Sequence, residues 1–141
     1  IPTSPGIAIA PAFVLALAID VTEPDITASP SEEKERFQQA LETARKEIHQ
    51  LHEKALERLG KEQAAIFEAH EMFLSDPTLL QQVNRAIEEG QSAVKAWQAA
   101  FEQQASLLEA LDDPIFSARA VDLRDVGQRV LRILTRSRTD V

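Results

Sequence analysis

The amino-acid sequence predicts a mainly α-helical protein: a four-helix bundle with a broken second helix, preceded by one or two short strands. Apolar residues recur every three or four positions through residues 29–136, which is the period of an amphipathic helix. Serine, aspartate and glycine residues divide this region into segments of helix length. The connections between the segments are short, so consecutive helices should pack as antiparallel neighbours.

The first 22 residues have a different character. Ser4-Pro5-Gly6 is typical of a turn, and the apolar runs at 6–10 and 13–19, separated by Pro11, are typical of short strands. A hairpin by itself is only marginally stable. We therefore expect residues 1–22 to complete a sheet whose other strands lie elsewhere.

The first helix has clear boundaries in the sequence. Ser29 and Glu32 have the spacing of a capping box, with Pro30 at the first helical position. Gly60 is the residue type that ends a helix in the left-handed conformation. The apolar stripe between these boundaries consists of Phe37, Leu41, Ala44, Ile48, Leu51, Ala55 and Leu59.

The second helix follows Gly60, is broken at Asp76-Pro77, and is apolar on more than one side. At ~100° per residue its apolar positions cover roughly 220°, against the ~100° stripe that packing on one core requires. The helix is therefore either buried between neighbours or presents a second face to a partner. One side carries Ile66, Phe67, His70 and Leu74, and the other carries Ala65, Ala69, Met72 and Phe73.

The second face has acidic residues nearby, namely Glu62, Glu68, Glu71 and Asp76, and only Lys61 opposes them. An adaptable apolar patch edged by acid suits a partner with an apolar centre and a basic rim.

The remaining helices are delimited in the same way. Gly90 ends the part that starts at Pro77, Ser92 caps the next helix, and Asp112-Asp113-Pro114 separates that helix from the last. Their apolar stripes consist of Leu79, Leu80, Val83, Ala86 and Ile87, then Val94, Trp97, Phe101, Gln104, Leu108 and Leu111, then Phe116, Ala120, Leu123, Val126, Val130 and Ile133.

Charge and composition exclude several classes of function. A net charge of −8 argues against nucleic acid or an anionic membrane as partner, since both select Lys and Arg. The chain has no cysteine and no apolar run long enough to span a bilayer. The apolar stretch at 7–18 is short and has no basic residues before it, so we do not expect it to be a signal peptide. The chain starts without Met and ends in a polar stretch, so we expect it to be a piece of a longer protein.

The three histidines predict no metal site. His49 and His52 lie one turn apart beside Glu53, but a zinc site needs three or four ligands, so a solvated polar face is expected. None of the histidines follows a Glu by three residues, which disfavours a metal-dependent bundle enzyme. His70 lies on the apolar side of its helix and is expected to be a hydrogen-bonded packing residue. There is no phosphate-binding glycine-rich loop.

Three segments resemble enzyme I of the bacterial phosphoenolpyruvate:sugar phosphotransferase system. Residues 65–79, AIFEAHEMFLSDPTL, are similar to the family's AIFxxHxxxLxDxxL stretch. Residues 3–10, TSPGIAIA, are similar to its xSPGIAxG opening. Residues 111–131, LDDPIFSARAVDLRDVGQRVL, resemble its LDDxYLxERAxDVRDIGxRLL segment. The three blocks occur in the family's order across almost the whole chain.

The resemblance implies an N-terminal part of a cytoplasmic transferase, a phosphoenolpyruvate–protein phosphotransferase that is free-standing or inside a multiphosphoryl transfer protein. Residues 1–22 would belong to an incomplete α/β phosphohistidine domain, 29–136 would form the helical subdomain that docks the phosphocarrier HPr, and 137–141 would be a tail. The family's phosphorylated histidine lies in a Gly-Gly-x-Thr-Ser-His motif that this sequence lacks. No catalytic residue or cofactor is therefore expected here; Mg²⁺ and phosphoenolpyruvate would bind the parent, a homodimer through a C-terminal domain.

The resemblance also implies which residues meet HPr, whose docking surface is an apolar plug beside its histidine, ringed by basic residues. Lys61 and Thr78 stand where the better-known members carry acids, Phe73 replaces an aliphatic residue, and Ile115-Phe116 stands for Tyr-Leu. The implied HPr-binding residues are Lys61, Glu62, Ala65, Met72, Phe73, Leu79, Leu108, Leu111 and Arg119. The alternative is a non-catalytic helical interaction module of another regulatory system that uses the same face.

Overall fold

The computed structural model describes residues 28–139, with side chains through residue 136. This part contains five helices and no strand, which confirms the mainly α-helical class. The predicted strands in residues 1–22 lie outside the described residues. The helices are α1 (Pro30–Arg58), α2 (Lys61–Phe73), α3 (Pro77–Glu88), α4 (Ala93–Ala110) and α5 (Pro114–Thr139).

Local hydrogen bonds set the helix starts where the sequence predicts them. In the capping box, Ser29 Oγ accepts the N–H of Glu32 at 3.3 Å, and Glu32 Oε1 accepts the N–H of Ser29 at 3.2 Å. Asp76 caps α3 through the N–H of Thr78, and Ser92 caps α4. These contacts satisfy backbone donors that have no partner inside the helix.

The predicted break in the second helix separates two helices, α2 and α3. Helix α2 ends at Phe73, with Leu74 as its C-cap, and α3 begins at Pro77, with Asp76 as its N-cap. The end of α5 at Thr139 lies three residues beyond the predicted boundary of the helical region.

The helices enclose one apolar core. Contacts between residues far apart in sequence show that α1 runs antiparallel to α2 and to α5, and that α4 runs antiparallel to α5. Trp97 lies at the centre, with its ring centroid 5.6 Å from those of both Phe37 and Phe101. All three side chains are fully buried.

Some predicted core positions are wrong. Leu59, at the end of α1, is 63% exposed, and Phe116, in the first turn of α5, is 39% exposed. Each lies at one end of its helix, where the apolar stripe extends past the outermost buried residue, Ala55 in α1 and Ala120 in α5. None of the helices between residues 28 and 139 is long and apolar enough to cross a membrane.

Candidate partner-docking surface

The solvent-facing side of α2 is apolar at its centre. Met72 is 64% exposed, and Ala65, which lies within ~20° of it around the helix axis, is also exposed. The opposite side carries the buried His70 and leads to the buried Leu74, and Ala64, between the two sides, is also buried. The interpretation of α2 as a helix buried on all sides is therefore wrong, and the helix presents a second, apolar face.

Two of the predicted docking residues, one on α2 and one on α4, pack against the core. Phe73 and Leu108 are partly buried, and both pack against the central cluster. Leu111, which follows the last turn of α4, is 57% exposed. The prediction that Leu111 belongs to the core stripe of α4 is therefore wrong, but its exposed side chain is free to contact a partner.

Leu79, also named among the predicted docking residues, is buried, as its place in the predicted apolar stripe of α3 requires. It is 1% exposed and shares a buried stripe of α3 with Val83 and Ile87, at intervals of four residues. The N-cap at Asp76 fixes where α3 begins and so which of its sides faces the core. Leu79 therefore belongs to the core and exposes almost no area to a partner.

The acidic rim is smaller than the sequence predicts. Glu68 and Glu71 lie on the side of α2 that faces α1, where they contact histidines, and Asp76 caps α3. Lys61 and Glu62 are exposed at the start of α2, and among the described residues neither forms an ion pair. Glu62 is therefore the acid of this group that is available for a basic partner.

The start of α5 contributes a further exposed segment. Asp113 Oδ1 accepts the N–H of Ile115 at 2.8 Å, which holds the first turn. Arg119 is exposed, and so are Ile115 at 68% and Phe116.

The exposure of several apolar residues was not predicted from the sequence, among them Ile115 and, on α2, Ile66, which is 41% exposed. The position of Ile66 between the two faces of the helical wheel could have indicated this.

His70 fixes α2 against α5. It is 7% exposed and meets the ring of Phe67 edge-on, with 6.0 Å between centroids. Its burial is as predicted, but neither ring nitrogen has a hydrogen-bond partner within the part of the chain described. Burial lowers the pKa of His70. The negative charges of Asp122 and Asp125 act in the opposite direction but do not cancel this effect, and the positive charge of Arg129 lowers the pKa further. The ring is therefore held neutral at neutral pH.

This burial predicts a pH dependence of stability. The pKa of His70 is lowered from its ordinary value of 6.5, so the unfolded chain binds a proton before the folded chain does. This contribution to the free energy of unfolding is present above pH 6.5 and declines as the pH falls toward the folded pKa. Urea unfolding between pH 7.5 and about 5 should show the decline, and a His70→Gln variant should show less of it. An equal slope in both proteins would contradict the assignment.

Comparison with known proteins shows which family the chain belongs to. The sequence profile described as "PEP-utilising enzyme, N-terminal" matches residues 1–119, which is most of the chain. The chain belongs to this family.

Relatives within the PEP-utilising enzyme family include a multiphosphoryl transfer protein of Rhodobacter capsulatus, 42% identical over 139 residues. A phosphoenolpyruvate-protein phosphotransferase of Listeria monocytogenes is 36% identical over 138 residues. The alignments cover 99% and 93% of this chain but only 17% and 23% of those proteins. The chain thus spans about a fifth of the length of these relatives.

Two solved structures of the PEP-utilising enzyme family have the same fold. The NMR solution structure of Enzyme I (nEIt) superposes with a TM-score of 0.74 at 42% identity, covering 82% of this chain and 48% of that one. The N-terminal domain of Enzyme 1 - Nitrogen gives a TM-score of 0.71 at 34% identity, covering 84% and 52%. The resemblance to enzyme I inferred from three short segments is confirmed.

Proposed function

We propose that this chain is the carrier-docking part of a phosphoenolpyruvate–protein phosphotransferase and that it binds the phosphocarrier HPr for phosphoryl transfer in sugar uptake. The observation that carries the proposal is the outward apolar face of α2, on which Met72 is 64% exposed. A long, flexible apolar side chain can serve as an anchor residue that becomes buried when the partner binds. Family membership supports HPr as the partner, because relatives of this chain are named phosphoenolpyruvate-protein phosphotransferases.

The proposed role is positioning. In the parent protein, phosphoenolpyruvate with Mg²⁺ would phosphorylate an enzyme histidine outside this sequence, and the phosphoryl group would pass to a histidine of HPr. The helical part holds HPr so that the two histidines approach in line, which converts an encounter in solution into an oriented reaction. This chain contributes no catalytic group and no cofactor.

The proposal includes a division of the chain. Residues 1–22 belong to the phosphohistidine domain, 29–136 form the HPr-binding subdomain, and 137–141 form a tail. Within the subdomain, α2 and α3 together take the place of the second helix of a four-helix bundle. The parent is cytoplasmic and dimerises through another domain.

The proposed contact surface has an apolar centre and a charged edge. Met72 and Ala65, both exposed on α2, form the proposed centre, and Leu111, exposed at the end of α4, is a further proposed contact. Glu62 steers a basic partner during association, whereas a rim charge of this kind adds little to the final affinity. The other members of the surface are Lys61, Phe73, Leu108 and Arg119.

Met72→Ala should weaken HPr binding by roughly 1–2 kcal/mol, about 5–30-fold in Kd, because it removes the exposed apolar anchor. The thermal midpoint should stay nearly unchanged, since most of the side chain is in solvent. An HPr titration monitored by NMR shifts on this chain gives both the affinity and the residues contacted.

Gln38→Ala is the matched surface control, because Gln38 is exposed near the start of α1, away from α2. It should leave the affinity unchanged. Shifts confined to α1, or a Met72→Ala variant that binds HPr as tightly as the parent chain, would show that the docking surface lies elsewhere.

A further inference from the structure

Two histidines and a glutamate converge between α1 and α2, outside the docking surface. His49 and His52 are one turn apart on α1, and Glu71 faces them from α2. One ligand atom from each residue lies within 4.8 Å of those of the other two. The sequence offers the histidine pair but not its third member, because Glu71 is brought there only by the packing of α2 on α1.

Both imidazole rings have the same orientation. Nδ1 of His52 lies 3.6 Å from Glu71 Oε1, and Nδ1 of His49 lies 3.9 Å from Glu71 Oε2. Each Nε2 instead meets a second carboxylate: His52 meets Glu68 at 3.2 Å, and His49 meets Glu53 at 3.4 Å. In both rings, therefore, Nδ1 faces Glu71 between the two helices and Nε2 faces a second carboxylate.

This arrangement decides which ring nitrogens are free to coordinate. An ionised carboxylate only accepts hydrogen bonds, so in a neutral His52 ring the Nε2–H donates outward to Glu68. Nε2 of His49 lies on the same outer side, 3.4 Å from Glu53 Oε2. With Nε2 protonated, each Nδ1 directs its lone pair inward. Metal-binding histidines have this outer support, in which a carboxylate fixes the tautomer and the orientation of the ring.

The distances suit a tetrahedral transition-metal ion. Metal–ligand bonds of about 2.0–2.1 Å place neighbouring ligand atoms about 3.3 Å apart. The separation between His52 and Glu71 exceeds this by a few tenths of an ångström. His49 Nδ1 lies 3.9 Å from the other oxygen of Glu71, Oε2, and its side chain is 59% exposed, so rotation of the ring can bring Nδ1 toward the shared ion.

Charge and access also favour a cation. Glu53, Glu68 and Glu71 bring three negative charges around two rings that must be neutral to coordinate. A shallow groove of about 310 Å³ adjoins His49 and Glu71, ample room for a water molecule as fourth ligand. Lys46 and Arg45 line the same groove and limit the excess negative charge.

We propose that His49, His52 and Glu71 form a zinc-binding site that links α1 to α2. Zn²⁺ takes Nδ1 of each histidine and one carboxylate oxygen of Glu71, with water in the fourth position. Glu53 and Glu68 act as positioning residues through the outer ring nitrogens. Because the site joins two helices, a bound ion stabilises α2 on the bundle.

Calorimetric titration of the chain with ZnCl₂ tests the site. One ion per chain should bind with a Kd in the micromolar range, and His52→Gln and Glu71→Gln should each weaken binding by more than tenfold. Zinc in hundredfold excess over Kd should raise the thermal midpoint by roughly 5–10 °C. Glu57→Gln, which changes an exposed carboxylate of α1 outside the cluster, should bind like the parent chain.

NMR of the imidazole nitrogens identifies the ligands independently of affinity. Zinc should shift the Nδ1 resonances of His49 and His52 and leave those of the buried His70 unchanged. A Kd weaker than about 100 μM, binding unaffected by His52→Gln and Glu71→Gln, or a shift confined to His70 would each overturn the proposal. The last outcome would assign the ion to His70, Asp122 and Asp125, which also lie close together.

Discussion

Glu33→Ala should lower the free energy of unfolding by about 3–5 kcal/mol, because it removes one partner of a buried charge network. Glu33 is 2% exposed, and its Oε1 accepts the N–H of Ala93 at 2.7 Å and of the Arg36 guanidinium at 3.2 Å. The carboxylate of α1 thus satisfies the first N–H of α4, at the end of that helix where a negative charge is favoured. Its loss leaves the buried N–H of Ala93 unpaired and removes one ion-pair contact of Arg36.

Two companion variants separate the causes. Glu33→Gln keeps an oxygen that can accept the N–H of Ala93, so it should cost less than Glu33→Ala. Glu35→Ala changes an exposed carboxylate two residues along α1 and should stay within about 0.5 kcal/mol of the parent. Urea unfolding curves give all three values. If Glu33→Ala were as stable as Glu35→Ala, the network would contribute nothing to the fold.

The sequence could predict features that depend on neighbouring residues. The capping box of Ser29 and Glu32, the cap at Asp76 and the division of α2 into two faces follow from local hydrogen bonds and from the helical period. These interactions close within one or two turns. The helical period left two alternatives for α2, burial between neighbours or a second exposed face, and only the exposure of Met72 in the structure decides between them.

Features that depend on packing between helices were out of reach. The sequence presents Glu33 as one more acid in the first turn of α1, and nothing local shows that the start of α4 lies against it. Glu71 becomes the third partner of a histidine pair only when α2 folds back on α1. For Leu79 the helical period and the family resemblance pointed in different directions: the period placed it in the core stripe of α3, where it is buried, and the resemblance named it as a contact of HPr.

Gly127→Ala should lower the free energy of unfolding by about 1–3 kcal/mol through overpacking. A Cβ at this position would lie 2.6 Å from the ring of Phe101, a contact too short to exist without movement. The ring is fully buried beside Trp97, whose Nε1–H donates to the carbonyl oxygen of Gly127 at 2.9 Å. Movement of either helix would therefore disturb both contacts. Alanine's better helix propensity, about 1 kcal/mol over glycine, offsets only part of the cost.

A double-mutant cycle distinguishes this clash from a general effect of changing α5. Phe101→Leu alone should destabilise the chain, because it removes ring contacts with Trp97 from the core. In the Gly127→Ala background the smaller side chain leaves room for the new methyl group, so the combined loss should be smaller than the sum of the two single losses. Additive losses would mean that the alanine methyl and the Phe101 ring do not compete for the same space. The close approach of α4 and α5 would then not depend on the missing side chain of Gly127.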